Sequence, residues 1–288
     1  MTRFTDLLKK SDPSITNDQI TRINERIGNI LNYTPKIGVF GKTGVGKSSL
    51  CNALFGKNIC KVSDVEACTR RPQDVLLKSS NGRGISLLDV PGVGESAQRD
   101  AEYSAMYETL LPELDLVLWV LKADDRAYSV DIDFYNNVVK PHIKQGKPFI
   151  IVLNQADKIE PFREWDVENR LPGKKQMANL LIKKLNVSQC FSVKQSSVIT
   201  VSADEKYGLT KLVDEMIFSL PDEKRYSVSR EAEEEYVSDE AKEEVNDSLW
   251  RSAVRVVEKV VDKAVDLVAD ISGAVSSGFR SVASWLGF

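Results

Sequence analysis

The sequence predicts an α/β fold: a mostly parallel, six-stranded sheet covered by helices on both faces, giving three layers. Three observations predict it. From about Lys36 to Leu220, apolar runs of strand length alternate with amphipathic stretches of helical length. Near-continuous apolar runs such as Leu116-Val117-Leu118-Trp119-Val120-Leu121 suit strands buried on both faces. The glycine-rich run Gly41 to Ser48 lies between a strand-like run (Ile37-Gly38-Val39-Phe40) and a helix-like one (Ser49 to Phe55).

At 288 residues the chain fits one large domain, or a domain with an appendage. Residues 1–34 read as a helical segment. Thr16 and Gln19 have capping-box spacing, and Ile20, Ile23, Ile27 and Ile30 recur at helical intervals. That stripe is expected to be buried on the domain that follows. Residues 35–220 form the alternating domain, with strands expected at Lys36 to Phe40, Asp74 to Lys78, Gly84 to Val90, Leu114 to Leu121, Pro148 to Leu153 and Ser197 to Val201. Helices are expected at Gly46 to Phe55, Ala101 to Leu111, Asp131 to Lys144, Gly173 to Leu185 and Leu209 to Ser219. Asn81-Gly82 is a hairpin signal, so the strands flanking it should be antiparallel at one edge.

Residues 221–247 are dominated by acids, Glu233-Glu234-Glu235 among them, and read as a solvated linker or the start of a helix. In residues 248–288, Val254, Val257, Val261, Ala264, Val268, Ile271, Val275, Phe279, Val282 and Leu286 step by threes and fours, the pattern of an amphipathic helical tail.

Hydrophobic content of 42% with 28% charged residues is ordinary for a soluble globular protein. A net charge of -3 speaks against a nucleic-acid surface spread over the chain. The opening residues carry Arg3, Asp6, Lys9 and Lys10, unlike a signal peptide, and no uncharged apolar run is long enough to span a membrane. A cytoplasmic location is expected. The spacing of Cys51, Cys60, Cys68 and Cys190 matches no zinc or redox pattern, so reduced thiols are expected. His142 is the only histidine, which argues against a histidine metal site or a histidine-activated nucleophile.

The chemistry therefore falls to groups that handle phosphate. In Gly41-Lys42-Thr43-Gly44-Val45-Gly46-Lys47-Ser48, the glycines let the backbone turn its N–H groups onto a polyphosphate. The helix opening at Ser48 and Ser49 directs its positive end at the same oxygens. Lys47 would bridge the β and γ phosphates, and Ser48 would hold the Mg2+ that they chelate. In Asp89-Val90-Pro91-Gly92, Asp89 could hold that ion through water, while the Gly92 N–H could sense the γ phosphate.

Asn154-Gln155-Ala156-Asp157-Lys158 selects the base. The Asp157 carboxylate can accept from guanine N1–H and its exocyclic amine, a donor pair that adenine lacks. Val201-Ser202-Ala203 would direct a backbone N–H at guanine O6. GTP and GDP are the expected ligands.

With these motifs in place, residues from about Lys36 to Leu220 resemble the Era-like, translation-factor-class P-loop GTPases, closest to the bacterial YfjP-type group. The resemblance implies a Ras-like G domain and GTP hydrolysis. It also implies that Thr69, in Ala67-Cys68-Thr69-Arg70-Arg71, completes the magnesium shell and closes over the γ phosphate.

Departures from the family pattern shape the expected mechanism. Gln155 replaces the usual lysine, whose stem covers the guanine ring, and Lys158 could compensate. Gly44 replaces the asparagine that helps relatives bind an activating potassium, so potassium dependence is not expected. Val93 stands where Ras-like enzymes carry the glutamine that orients water, so isolated turnover should be slow. The missing group would come from Arg70 or Arg71, from a second copy paired across the nucleotide, or from a partner. Dimer-stimulated hydrolysis is the leading expectation.

For residues 248–288 three readings stand: a helix packed on the G domain or on the N-terminal helix, an interfacial amphipathic helix holding the protein at the inner face of the membrane, or a helix for a protein partner. From Asp222 onward, fifteen Asp or Glu face nine Lys or Arg, a balance unsuited to anionic lipid or RNA. The two functions in competition are a regulatory switch and a membrane-associated, self-assembling GTPase.

Overall fold

A computed structural model describes residues 3–56, 73–78, 84–89, 107–261 and 282–286. Two helices open the chain, α1 (Arg3–Ser11) and α2 (Asn17–Leu31). Thr16 caps α2: its hydroxyl accepts from the Gln19 N–H, and the Gln19 side chain accepts from the Thr16 N–H, as the spacing predicts.

The sheet consists of β1 (Lys36–Phe40), β2 (Gln73–Lys78), β3 (Gly84–Asp89), β4 (Leu116–Lys122), β5 (Phe149–Asn154) and β6 (Val198–Thr200). Its order is β2-β3-β1-β4-β5-β6. All neighbours are parallel except β2 and β3, which pair antiparallel at the edge. The Asn81-Gly82 turn lies outside the described residues. β4 and β5 are buried almost end to end, as strands covered on both faces must be.

The connecting helices are α3 (Lys47–Phe55), α4 (Ser129–Phe134), α5 (Lys140–Lys144), α6 (Lys174–Phe191) and α7 (Leu209–Ser219). The single helix expected over Asp131 to Lys144 is instead interrupted by a π turn at Tyr135–Val139. Pro141 lies just beyond that turn. It has no N–H to continue the ladder and its ring crowds the carbonyl one turn back, which the wider turn accommodates. α6 runs six residues past its expected end, to Phe191, which is buried.

One face of the sheet is covered by α3 and α7, with Leu50, Leu54, Leu212, Val213 and Met216 in its core. The other carries Phe40, Trp119, Phe134, Leu180 and Phe191, with Trp119 stacked on Phe40 and on Phe134 at centroid distances of 6.0 and 5.6 Å.

The acid-rich stretch after Leu220 is folded into α8 (Asp222–Glu231) and α9 (Asp239–Glu258), and α10 (Val282–Trp285) is the last described element. Arg225, Arg251 and Arg255 all face Asp222, and the hydrogen bonds from Arg251 first and then Arg255 hold its carboxyl down to about 2.

Ile20, Ile23 and Ile27 of α2 are buried as expected, Ile30 is half-buried and Leu31 is buried in addition, but against a different partner. They share a third core with Leu249, Ala253, Val256, Val257 and Val261, together with Val282, Ala283 and Leu286, rather than lying on the sheet. The two ends of the chain each bring one apolar stripe, and neither stripe is covered without the other. Asp115, buried at the start of β4, joins this helical unit to the sheet. It accepts from the Tyr33 hydroxyl and the Lys36 N–H and pairs with Lys224 of α8. Ile23→Ala is expected to cost about 2–5 kcal/mol, the range for a fully buried aliphatic truncation. A urea melt reads it, and a loss below about 0.5 kcal/mol, the level of an ordinary surface change, would show that the stripe is not packed.

Candidate functional site

The site lies at the carboxyl ends of β1, β5 and β6, on the edge where open α/β sheets bind ligands. β1 delivers the chain into Gly41, whose φ is +141° and whose Cβ position would fall 2.2 Å from the Val120 carbonyl oxygen. Only glycine fits there. Gly44 and Gly46 also take positive φ, +80° and +87°, and Gly46 leads directly into α3. Thr43 and Gly44 are exposed, Val45 is buried, and Ser48 and Ser49 lie half-buried in the first turn of α3.

Lys47 opens α3 and turns back over the loop. Its Nζ donates to the Gly41 and Lys42 carbonyls at 2.9 and 3.2 Å. The loop thus encloses its own ammonium, beside N–H groups at a helix N-terminus, which is an anion-binding arrangement.

Asn154, 1% exposed at the end of β5, ties this loop to the one after β6. Its Nδ2 donates to the Val45 carbonyl at 2.9 Å, and its Oδ1 accepts from the Ala203 N–H at 3.1 Å. Gln155, at φ +60°, sends Nε2 to the Gly44 carbonyl at 3.2 Å. Gln155, which stands where the family pattern has lysine, thus makes a contact with the glycine-rich loop. Asp157 accepts a 2.6 Å hydrogen bond from the Ser202 hydroxyl, which also receives the Glu205 N–H. The Asp157 carbonyl accepts from Gln176, a buried residue of α6. Lys158 is exposed beside it.

β3 ends at Asp89, which pairs in register with Val39 one residue before the end of β1. The backbone thus brings that position alongside the entry to the glycine-rich loop. Oxygen donors at Ser48 and Asp89 suit a hard cation such as Mg2+, which takes few protein ligands and the rest from phosphate and water. Thr69, Gly92, Val93, Arg70 and Arg71 lie outside the described residues.

Three features were not read from the sequence. Lys42 pairs with the buried Asp131 at 2.7 Å. The Glu233 N–H donates to the Leu54 carbonyl at 2.9 Å, so the turn between α8 and α9 touches the end of α3. Glu235 in the same turn pairs with Lys206, in the loop after Ser202, at 3.4 Å. The run Glu233-Glu234-Glu235 reads as solvated, and only the fold places it beside the end of α3 and the loop after Ser202.

A family model described as a 50S ribosome-binding GTPase matches residues 36–155. The protein YkfA of Escherichia coli (strain K12) is 43% identical over 208 residues, covering 70% of this chain and 68% of YkfA. YfjP of the same organism is 41% identical over 202 residues, with the same two coverages. GTPase Era of Aquifex aeolicus (strain VF5) is 33% identical over 128 residues, covering 43% of this chain and 42% of Era.

Proposed function

The chain belongs to the Era-like P-loop GTPases, and from that premise we propose that it is a GTP-binding switch that hydrolyses GTP slowly until a second molecule completes its site. The observation that carries the reading is the tie made by Asn154. One side chain joins the loop suited to phosphates, through Val45, to the loop suited to a base, through Ala203. A ligand gripped by both must have a polyphosphate at one end and a base at the other.

In this reading the N–H groups of Gly41 to Gly46 and the N-terminus of α3 receive the phosphates, with Ser49 in that first turn. Lys47 exchanges the Gly41 and Lys42 carbonyls for β and γ oxygens. Asp157, oriented by Ser202, accepts from guanine N1–H and N2–H, and Gln155 and Lys158 flank the ring. Ser48, Thr69 and Asp89 would hold Mg2+, whose contribution is to neutralise charge on the β and γ oxygens. Water attacks the γ phosphorus, the bond to the β–γ bridging oxygen breaks, and GDP and phosphate leave. The Gly92 N–H would sense whether the γ phosphate is present, and Thr69 would close over it.

Valine at 93 can neither donate to nor accept from the attacking water, which favours a slow isolated rate and a group supplied from elsewhere. A homodimer paired across the nucleotide is the reading taken. Hydrolysis per molecule is then expected to rise with protein concentration in the micromolar range, measured as phosphate release with GTP saturating. A flat profile removes the dimer and leaves a partner protein as the source.

The packing of Val256, Val257, Val261, Val282, Ala283 and Leu286 with α2 favours a structural role for the tail over a membrane anchor. No helix among the described residues is long and apolar enough to cross a membrane. Flotation with vesicles, with and without residues 248–288, separates the two: a full chain that floats only when those residues are present would restore the anchor. The family model's description names ribosome binding, but the acid excess after Leu220 does not favour RNA as a partner of that region.

Displacement of a fluorescent GDP tests the core of the proposal. GTP and GDP should compete and ATP should not. Equal competition by ATP would mean an adenine-tolerant site and an ATP-dependent activity instead.

A further inference from the structure

We propose that Lys42 and Asp131 form a positioning clamp that holds the first turn of the phosphate loop for the β and γ phosphates. Asn154 and Gln155 secure the second turn of that loop, through the Val45 and Gly44 carbonyls. Neither touches Gly41 or Lys42. The first turn is held from the opposite side, where the Lys42 ammonium reaches Asp131 at 2.7 Å and the Ala127 carbonyl at 3.2 Å.

The partner chosen is unusual. Asp131 lies on α4 with its side chain wholly buried, 0% exposed, and neither of its oxygens receives a hydrogen bond of good geometry from another described residue. Burial pushes its carboxyl up, and the Lys42 ammonium pulls it back. A buried carboxylate is stabilised chiefly by the cation beside it, with the Trp119 indole as a lesser donor, and separating the ion pair is strongly unfavourable. Lys42 is therefore constrained at its tip, and its own carbonyl is one of the two that accept Lys47 Nζ. Fixing the tip fixes the backbone from which Lys47 is released to phosphate.

The element behind the clamp is rigid. Phe134, on the same short helix, stacks on Trp119 of β4, and the π turn that follows seats Tyr135 against Phe149 and Phe191. The connection from β4 is tied as well: the Tyr128 hydroxyl donates to the Lys122 carbonyl at 3.1 Å, and Lys183 of α6 donates to the Asp125 carbonyl. A π turn next to a ligand loop is a common place for such an adaptation.

This inference rests on the nucleotide reading of the site. Because the clamp acts on the first turn of the loop and not on the base loop, its loss should be felt by ligands with a β phosphate. The test uses the full chain, with affinities for GDP and GMP obtained by displacement of fluorescent GDP. Lys42→Met is expected to lower the GDP:GMP affinity ratio about tenfold, the scale of one charge-assisted interaction. Lys42→Arg should restore it. Should Lys42→Met fold poorly, the double variant Lys42→Met with Asp131→Leu removes the uncompensated charge. It is expected to regain thermal stability while the ratio stays low. A role in stability alone would return ratio and stability together and overturn the proposal, as would an unchanged ratio in Lys42→Met. Failure of the unaltered chain to bind GDP would instead overturn the reading of the site.

Discussion

Asp157→Asn is expected to move the preference of the site from guanine to xanthine nucleotides, changing the GDP:XDP affinity ratio by about a thousandfold or more. The carboxylate offers acceptors only, which matches the two donors on the Watson–Crick edge of guanine. An asparagine must turn its amide N–H2 toward one of them, so one donor meets another inside a partly buried site. Sites built on such hydrogen bonds discriminate by roughly four to five orders of magnitude, because a mismatched ligand leaves polar groups unpaired. Xanthine presents an oxygen where guanine has its amine, and the amide satisfies it. Ser202 should make the result clean. Its hydroxyl donates to Asp157 Oδ1 at 2.6 Å and would hold the asparagine oxygen in the same place, leaving the amide nitrogen facing the ligand. Competition by GDP and XDP against a fluorescent guanine nucleotide and its xanthine counterpart measures the shift. An unchanged ratio would mean that Asp157 does not contact the base.

Asn154→Ala is expected to damage both fold and ligand binding. The side chain is 1% exposed and makes one hydrogen bond to each loop of the site. Truncation leaves the Val45 carbonyl and the Ala203 N–H without these partners. An orphaned buried polar group costs about 1–3 kcal/mol, so about 2–6 kcal/mol is expected for the pair. The affinity for GDP should fall at least about a hundredfold, since two loops that were held in fixed relation become independent. Asn154→Asp divides the effect. It keeps the acceptor for Ala203 but turns a carboxylate oxygen toward the Val45 carbonyl, so it should bind GDP as poorly as the alanine variant. Calorimetry with GDP and a urea melt read the two effects separately. A variant that binds GDP normally would show that the loops are prealigned without this residue.

Much of the sheet was legible because its signals are local. β1 occupies Lys36–Phe40 as expected, and α7 occupies Leu209–Ser219 as expected. The strand ends of β4 and β5 moved by one or two residues toward the ligand edge. The α4 to α5 region was less legible. Its apolar period looks continuous, and the effect of Pro141 on the preceding turn appears only once Tyr135 and Val139 have a core to fill. The contact made by Gln155 is hidden in the sequence for a related reason. Compared with lysine it looks like a loss, yet at φ +60° its amide reaches Gly44.

The sequence by itself determined the alternation that makes an α/β sheet, the glycine positions of the loop, and the residue types able to hold a polyphosphate and select a base. These depend on backbone sterics, apolar period and functional-group chemistry, all of which operate over a few residues. The tertiary structure alone decided which groups meet across long separations. Asn154 with Val45 spans 109 residues, Tyr33 with Asp115 spans 82, and Gln19 with the Val260 carbonyl spans 241. A stripe at either end of the chain states that it must be buried but not against what, since burial is non-directional and the partner is set by the geometry of the whole. For the same reason Lys42 reads only as a member of the phosphate-binding loop until the fold places a buried carboxylate 2.7 Å from it.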